Sequence, residues 1–416
     1  MASYPIEENL PRSEFCNDSS EGVGPRPLRV LQVVDNLGMG GAETWLMELL
    51  RFWSRNGAVK MDFVATGAKA EVFDDEAIQL GAKIHYVKYG RRHLGQFAKE
   101  FRRVLREGQY DAIHDHSDYA SGWHFLVGAG ALPRVRVTHV HSSWLHIEAN
   151  YGVNRTRRLT ASAGKRLVGR LATHVCGTSG DVLRQYGFSA QEGHQPAVSV
   201  VHCGFEVDKF YRRPGCECDR QSVRNEFGWP ENARIVLFAG RLDRALEFDH
   251  PQNHKNSWFA LNLARAALSK KPDLRLLMAG AGEKPRQELE THIQRWQLSD
   301  ELRLIGVRKD IPRLMRAADV LLFPSRQEGL GMVAVEAQAA GLPVLASTAV
   351  PRECVVIPEL YNALPLAEST EVWASTLVAM MNAERPSPEF CRSALESSAF
   401  SIVNSANRLE QIYRGN

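Results

Sequence analysis

Short apolar runs rich in β-branched residues alternate with helical stretches along this chain, and that alternation constrains the fold more than any other feature. Leu28 to Val34 (LRVLQVV), bounded by Pro27 and Asp35-Asn36, reads as a parallel strand buried on both faces. A glycine loop follows, Gly38-Met39-Gly40-Gly41, then a helix from Ala42 to Arg55. Further strand-like runs are 59–65, 83–87, 110–113, 134–139 and 173–176, and near Val198 to Val201 the series restarts. Strands then fit 234–239, 274–279, 302–305, 320–323 and 344–346, while Asp208 to Asn232 lacks periodicity. Strand–helix alternation builds doubly wound parallel sheets, so the expected class is α/β with two Rossmann-like sheets. The restart sets domains at 28–200 and 201–399, after a polar, disordered tail over 1–27. The last segment, Phe400 to Tyr413, is an amphipathic helix with Ile402, Ala406, Leu409 and Ile412 on one side. Ligands of such sheets bind beyond the carboxyl ends of the strands, in a cleft.

Composition narrows the function. With 416 residues, 44% hydrophobic and 24% charged, the chain is ordinary globular protein. A net charge of +3 does not call for a nucleic-acid partner. No apolar run reaches a membrane span and the N-terminus has no signal core, so a cytoplasmic location is expected. The seven cysteines are odd in number and scattered, which predicts reduced thiols.

One stretch carries chemistry: Ser325-Arg326-Gln327-Glu328-Gly329-Leu330-Gly331-Met332-Val333-Ala334-Val335-Glu336-Ala337-Gln338-Ala339-Ala340-Gly341. On a helix, Glu336 has Met332, Val333, Ala339 and Ala340 as surface neighbours, and none pairs with a charge. A carboxylate in apolar company needs a hydrogen-bonding partner, so a distant side chain or a hydroxyl-rich ligand is expected. Gly329, Leu330, Gly331 and Met332 open the helix, where backbone N–H groups and the dipole suit a diphosphate. Gly40 and Gly41 open the first helix in the same way, with a tight turn as the equal alternative.

Glu-x7-Glu followed by Ala-Gln-Ala-Ala-Gly-Leu-Pro-Val resembles the donor-binding signature of the retaining group 1 (family 4) glycosyltransferases, which have the two-domain GT-B fold. Val201 to Phe210 (VHCGFEVDKF) is similar to that family's opening of the C-terminal domain. Phe238 to Leu242 (FAGRL) resembles its strand with a phosphate-binding Arg, Gly306 to Ile311 (GVRKDI) its base-side loop, and Gly38 to Glu43 its N-terminal Gly-Gly-x-Glu loop. The likeness runs in order over residues 28–416.

The resemblance implies roles. Glu336 accepts hydrogen bonds from the nucleotide ribose, and Glu328 touches the donor sugar. Arg241 and Lys255 neutralise the leaving diphosphate, the work that a metal does elsewhere. An insertion, Asp243 to Asn253, separates them and leaves Arg244 as a substitute for Lys255. Arg308 belongs to the base-side loop. His141, followed by Ser142 and Ser143, stands nearer the family's strand-end histidine than His139 does, and is assigned to positioning and charge stabilisation. The C-terminal helix, 400–416, returns to the N-terminal domain. No cofactor is implied: the donor is a nucleotide-diphosphate sugar, UDP-linked ahead of GDP-linked, and the acceptor a glycan or lipid-linked saccharide of surface polysaccharide. No Asp-x-Asp occurs, so metal independence is expected. Basic helices carrying Arg91, Arg92, Arg102, Arg103, Arg155, Arg157, Arg158, Lys165, Arg166 and Arg170 suit either solvent or the inner face of an anionic membrane.

Two other readings compete. His114-Asp115-His116-Ser117-Asp118 resembles the His-x-His-x-Asp of binuclear metallohydrolases, though Tyr119 replaces the next histidine. A sugar-nucleotide epimerase shares the two-sheet cleft.

Overall fold

The computed structural model describes residues 26–415 except 91, 145–146, 149–153, 190–195, 214–217 and 244. The tail to residue 25, Arg91 and Arg244 therefore lie outside the described residues. Seven parallel strands form a first sheet: β1 (Leu28–Val34), β2 (Val59–Ala65), β3 (Ile84–Tyr86), β4 (Ala112–Asp115), β5 (Val135–Val140), β6 (His174–Gly177) and β7 (Ala197–Val200). Their order is 3-2-1-4-5-6-7. Six more form a second: β8 (Arg234–Ala239), β9 (Leu274–Ala279), β10 (Leu302–Gly306), β11 (Val320–Phe323), β12 (Val344–Ser347) and β13 (Tyr361–Leu364), in the order 10-9-8-11-12-13. The order reverses between β1 and β4, and again between β8 and β11, which opens a crevice at each switch point.

β1 shows why its sequence lacks alternation. Leu31 and Val33 pack toward Phe97 and Phe101, while Val30 and Val34 pack toward Trp45 and Leu49. Both faces are covered, so both must be apolar. Gln32 breaks the rule at 0% exposure.

The structure departs from the sequence reading in three places. β13 is an unforeseen edge strand, only four residues long and partly exposed, without a full apolar run. Helix Cys218–Phe227 lies inside the segment expected to be irregular. Ion pairs hold it, Asp219 to Arg316 at 2.6 Å and Arg220 to Asp319 at 2.5 Å, so it leaves little periodic signal. Cys176, Cys203, Cys354 and Cys391 are free thiols as expected, but Cys218 is disulfide-bonded.

The final helix, Ile402–Arg414, crosses back to the first sheet. Ile402, Ala406, Leu409, Ile412 and Tyr413 join the core around Trp45 and Trp53. Each large apolar side chain so buried contributes about 1.5–3 kcal/mol. No helix among the described residues is long and apolar enough to cross a membrane.

Candidate active site

The carboxyl ends of β8, β9 and β11 meet those of β5 and β6 and the loop after β1 around a cavity of about 660 Å³. Its wall includes Arg241, Lys255, Glu328, Gly329 to Met332 and Glu336 on one side, and Gly40, Gly41 and His141 on the other. The predicted residues of both halves therefore converge on one space.

The helix that carries Glu336 spans Met332–Ala339, with Gly331 as its N-cap at φ 94°. That left-handed conformation favours glycine. Leu330 buries its side chain in the second domain's core, so the backbone is what it offers the cavity. Gly329 has a different reason. A Cβ there would stand 2.3 Å from the His141 carbonyl oxygen. Bare backbone lets the two domains touch, and Ser179 Oγ donates to the Gly329 carbonyl at 2.6 Å. Gln327 Nε2 donates to Ser143 Oγ at 2.6 Å beside it.

Lys255 reaches the site despite the insertion. Asp243 gathers the loop: its carboxylate accepts the N–H groups of His254, Lys255 and Ser257 at 2.7, 2.8 and 2.9 Å. Lys255 Nζ then lies 2.5 Å from Glu328 Oε1. Asp243 is a site-building residue that sequence reasoning passed over, because only the fold shows what it binds. Arg241 is exposed in the cleft, and its guanidinium makes no ion pair among the described residues.

Glu336 is partly buried and finds no protein partner for its carboxylate among the described residues. Burial, and then the charge of Glu48, push its pKa up to about 7. Glu48 itself is tied to Arg51 at 2.9 Å and to Lys209 across the cleft at 2.6 Å. Arg308 borders the same space, but its guanidinium is forked onto Asp310 at 2.7 and 2.8 Å and reaches Glu226 at 2.7 Å. Its side chain is thus committed to protein carboxylates.

On the N-terminal side, Gly40 caps helix Gly41–Asn56 without a side-chain bond. Glu43 folds over it: a Cβ on Gly40 would meet Glu43 Oε2 at 2.1 Å. A carboxylate thus already stands beside these amides. His141 follows β5, and Asp118 accepts its backbone N–H at 2.8 Å. Burial alone holds the His141 imidazole neutral, with its pKa lowered to about 3. His139 lies behind it, the rings stacked at 4.3 Å.

The His-x-His-x-Asp segment splits up in space. Asp115 pairs with His124 at 2.7 Å, and Asp118 turns to the backbone at 141–142. His114, His116 and His139 keep ligand atoms within 4.8 Å of one another, a spacing that a metal ion tolerates.

Comparison with known proteins agrees with this architecture. Residues 39–209 match the model of Glycosyltransferase Family 4, and residues 233–382 that of Glycosyl transferases group 1. EpsF of Bacillus subtilis (strain 168) is 29% identical over 92% of this chain and 96% of its own. The D-inositol 3-phosphate glycosyltransferase of Corynebacterium urealyticum is 26% identical over 73% of this chain and 71% of its own. Among solved structures, Anabaena HepE in complex with UDP-glucose superposes with a TM-score of 0.70 at 19% identity, covering 94% of this chain and 100% of HepE. WaaG, a glycosyltransferase involved in lipopolysaccharide biosynthesis, gives 0.67 at 18% identity, over 93% and 100%. With both halves of the cleft matched in order, this chain belongs to the group 1, family 4 glycosyltransferases and has their GT-B fold.

Proposed function

We propose that this glycosyltransferase moves a hexose, with retention and without a metal, from a nucleotide-diphosphate sugar to a glycan or lipid-linked saccharide in surface polysaccharide assembly. One observation carries the reading. Glu336, the amides of 329–332, Arg241 and the Lys255–Glu328 pair line one cavity, and their chemistry suits ribose, diphosphate and sugar. The partnerless Glu336 carboxylate suits ribose hydroxyls. Arg241 and Lys255 suit charge that grows on the diphosphate as the sugar–phosphate bond breaks. Attack comes from the same face: the acceptor oxygen bonds to the anomeric carbon and its proton passes to the leaving phosphate. His141, neutral, hydrogen-bonds a hydroxyl nearby. HepE binds UDP-glucose and WaaG serves lipopolysaccharide biosynthesis, which supports a UDP-linked donor and a surface glycan.

Exposed Arg155, Arg157, Arg158, Arg166 and Arg170 share helix Arg155–Leu171 with Leu159, which is 70% exposed. That helix suits peripheral contact with anionic lipid at the inner membrane face. Co-sedimentation with anionic but not neutral vesicles tests it.

Thermal melting against UDP- and GDP-sugars tests the donor. Stabilisation by a UDP-sugar, abolished in Glu336→Ala, is expected. Unaltered binding by that variant overturns the assignment. Donor consumption without any acceptor favours the epimerase, and loss of transfer in EDTA removes the metal-free mechanism.

A further inference from the structure

Behind His141 lies a line of buried polar side chains that the transfer reaction itself does not require. Gln32 on β1, His114 and His116 at the end of β4, and His139 and His141 at the end of β5 occupy one sheet face. Register dictates this: Gln32 pairs with His114, and His114 with Val137, so alternation brings 116, 139 and 141 to the same side. Trp45 stands edge-on to all four imidazoles, with centroids 5.1–6.4 Å away, and Tyr413 of the final helix joins from above.

The contacts form a single line. His141 Nε2 meets His116 Nδ1 at 2.9 Å, and His116 Nε2 meets Gln32 Oε1 at 2.9 Å. Gln32 Nε2 donates to the Tyr413 hydroxyl at 3.3 Å, and that hydroxyl meets His114 Nδ1 at 2.6 Å. His114 Nε2 meets His139 Nδ1 at 3.2 Å. His139 Nε2 ends the line, buried and with no hydrogen bond formed.

Gln32 Oε1 only accepts, so the proton of His116 belongs on Nε2. Neutral imidazole has one donor and one acceptor, and this condition sets the joint to His141. The Gln32 amide donates to Tyr413. His116 Nε2–H donates to Gln32 Oε1, and His141 Nε2–H to His116. The Nδ1 of His141 is left as a lone pair with no protein partner among the described residues, on a ring that lines the cavity. Burial keeps all four rings neutral, as the line requires.

We infer that this relay fixes the tautomer of His141, so that a proton-accepting Nδ1 faces the donor cavity, with His116 and Gln32 as positioning residues. The inference rests on His141 facing the sugar, as proposed above. Such a ring accepts a hydrogen bond from a hydroxyl and repels phosphate oxygen, which discriminates the sugar end of the donor from its diphosphate. The Nδ1 lone pair of His116 is taken by the His141 N–H. That favours the relay over an ion held by His114, His116 and His139.

The test is long-range ¹H–¹⁵N NMR of the full chain labelled at histidine, at pH 7, with His141 assigned from its loss in His141→Ala. The expected signal is the Nε2–H form. His116→Asn, whose Oδ1 replaces the Nδ1 acceptor, keeps it. His116→Phe and Gln32→Met give mixed tautomers and lower kcat about 10- to 100-fold, with a smaller change in donor KM. Should those variants unfold, the wild-type spectrum still decides. A wild-type His141 carrying its proton on Nδ1 or on both nitrogens overturns the relay. So does stoichiometric transition metal in protein purified without chelator. The spectrum reads the tautomer without turnover, so failure of every sugar donor sinks the transfer assignment and leaves the relay standing.

Discussion

Replacing Glu336 with glutamine keeps its size and removes its charge, and the consequences differ with pH. In the free protein, burial raises this carboxyl from 4.5 to about 7. Between those values the folded state binds more protons than the unfolded state. Stability therefore falls as pH rises through this window and is flat above it. At 1.36 kcal/mol per unit the full effect is about 3 kcal/mol. The carboxylate borders an open cleft, so screening reduces this to about 1–2 kcal/mol. Glu336→Gln is thus expected to melt higher than wild type at pH 8.5 and level with it near pH 4. Binding runs the other way. A carboxylate accepting ribose hydroxyls contributes about 1.5–3 kcal/mol per charge-assisted bond. Only the ionised form does so, so wild-type affinity should rise about tenfold per pH unit below 7 and level off above. Isothermal titration with UDP-glucose measures this, since its two phosphates do not titrate in this range. At pH 8.5 the glutamine variant should bind about 100-fold more weakly, and at pH 5.5 the gap should narrow to within about fivefold. A wild-type affinity that ignores pH, or a variant that binds equally at pH 8.5, refutes the nucleotide role of Glu336.

Other substitutions probe separate parts of the architecture. Lys255→Ala should lower kcat at least about 100-fold in steady-state assays, with little change in donor KM. Asp243→Ala frees three backbone N–H groups just after the insertion and should reproduce a milder version of the same kcat defect. Gly329→Ala forces a Cβ against the His141 carbonyl and should cost about 1–3 kcal/mol in denaturant unfolding, with reduced turnover from separated domains. Ile412→Ala should cost about 2–5 kcal/mol, because the final helix buries that side chain in the first domain's core.

The fold was legible because buried parallel strands announce themselves. Runs such as Arg234–Ala239 and Leu274–Ala279 are apolar on both sides and match the observed strands end to end. β13 is short and half open to solvent, so it carries no such signal. Helix Cys218–Phe227 depends on ion pairs to the distant Asp319 and Arg316, which no local pattern records. At the site, the Glu328–Glu336 spacing could be read directly, because a carboxylate among apolar neighbours is chemically out of place. Arg308 could not: the motif names the residue but not the carboxylates of Asp310 and Glu226 that hold it. At Gly329 the motif points to a ligand-facing amide, but it does not record the His141 carbonyl of the other domain, which also requires bare backbone there.

The two-sheet architecture, the pair of glutamates and the amphipathic final helix follow from local pattern, since each rests on a periodicity or an unsatisfied charge within one segment. The place of Lys255 exists only once the chain has folded, because Asp243 draws the intervening loop back on itself. Only parallel register decided that two His-x-His segments, a glutamine and a tyrosine near the far end of the chain share one hydrogen-bonded line. A proton's position on His141 is settled by partners up to hundreds of residues away in sequence, and contact between such partners exists only after folding.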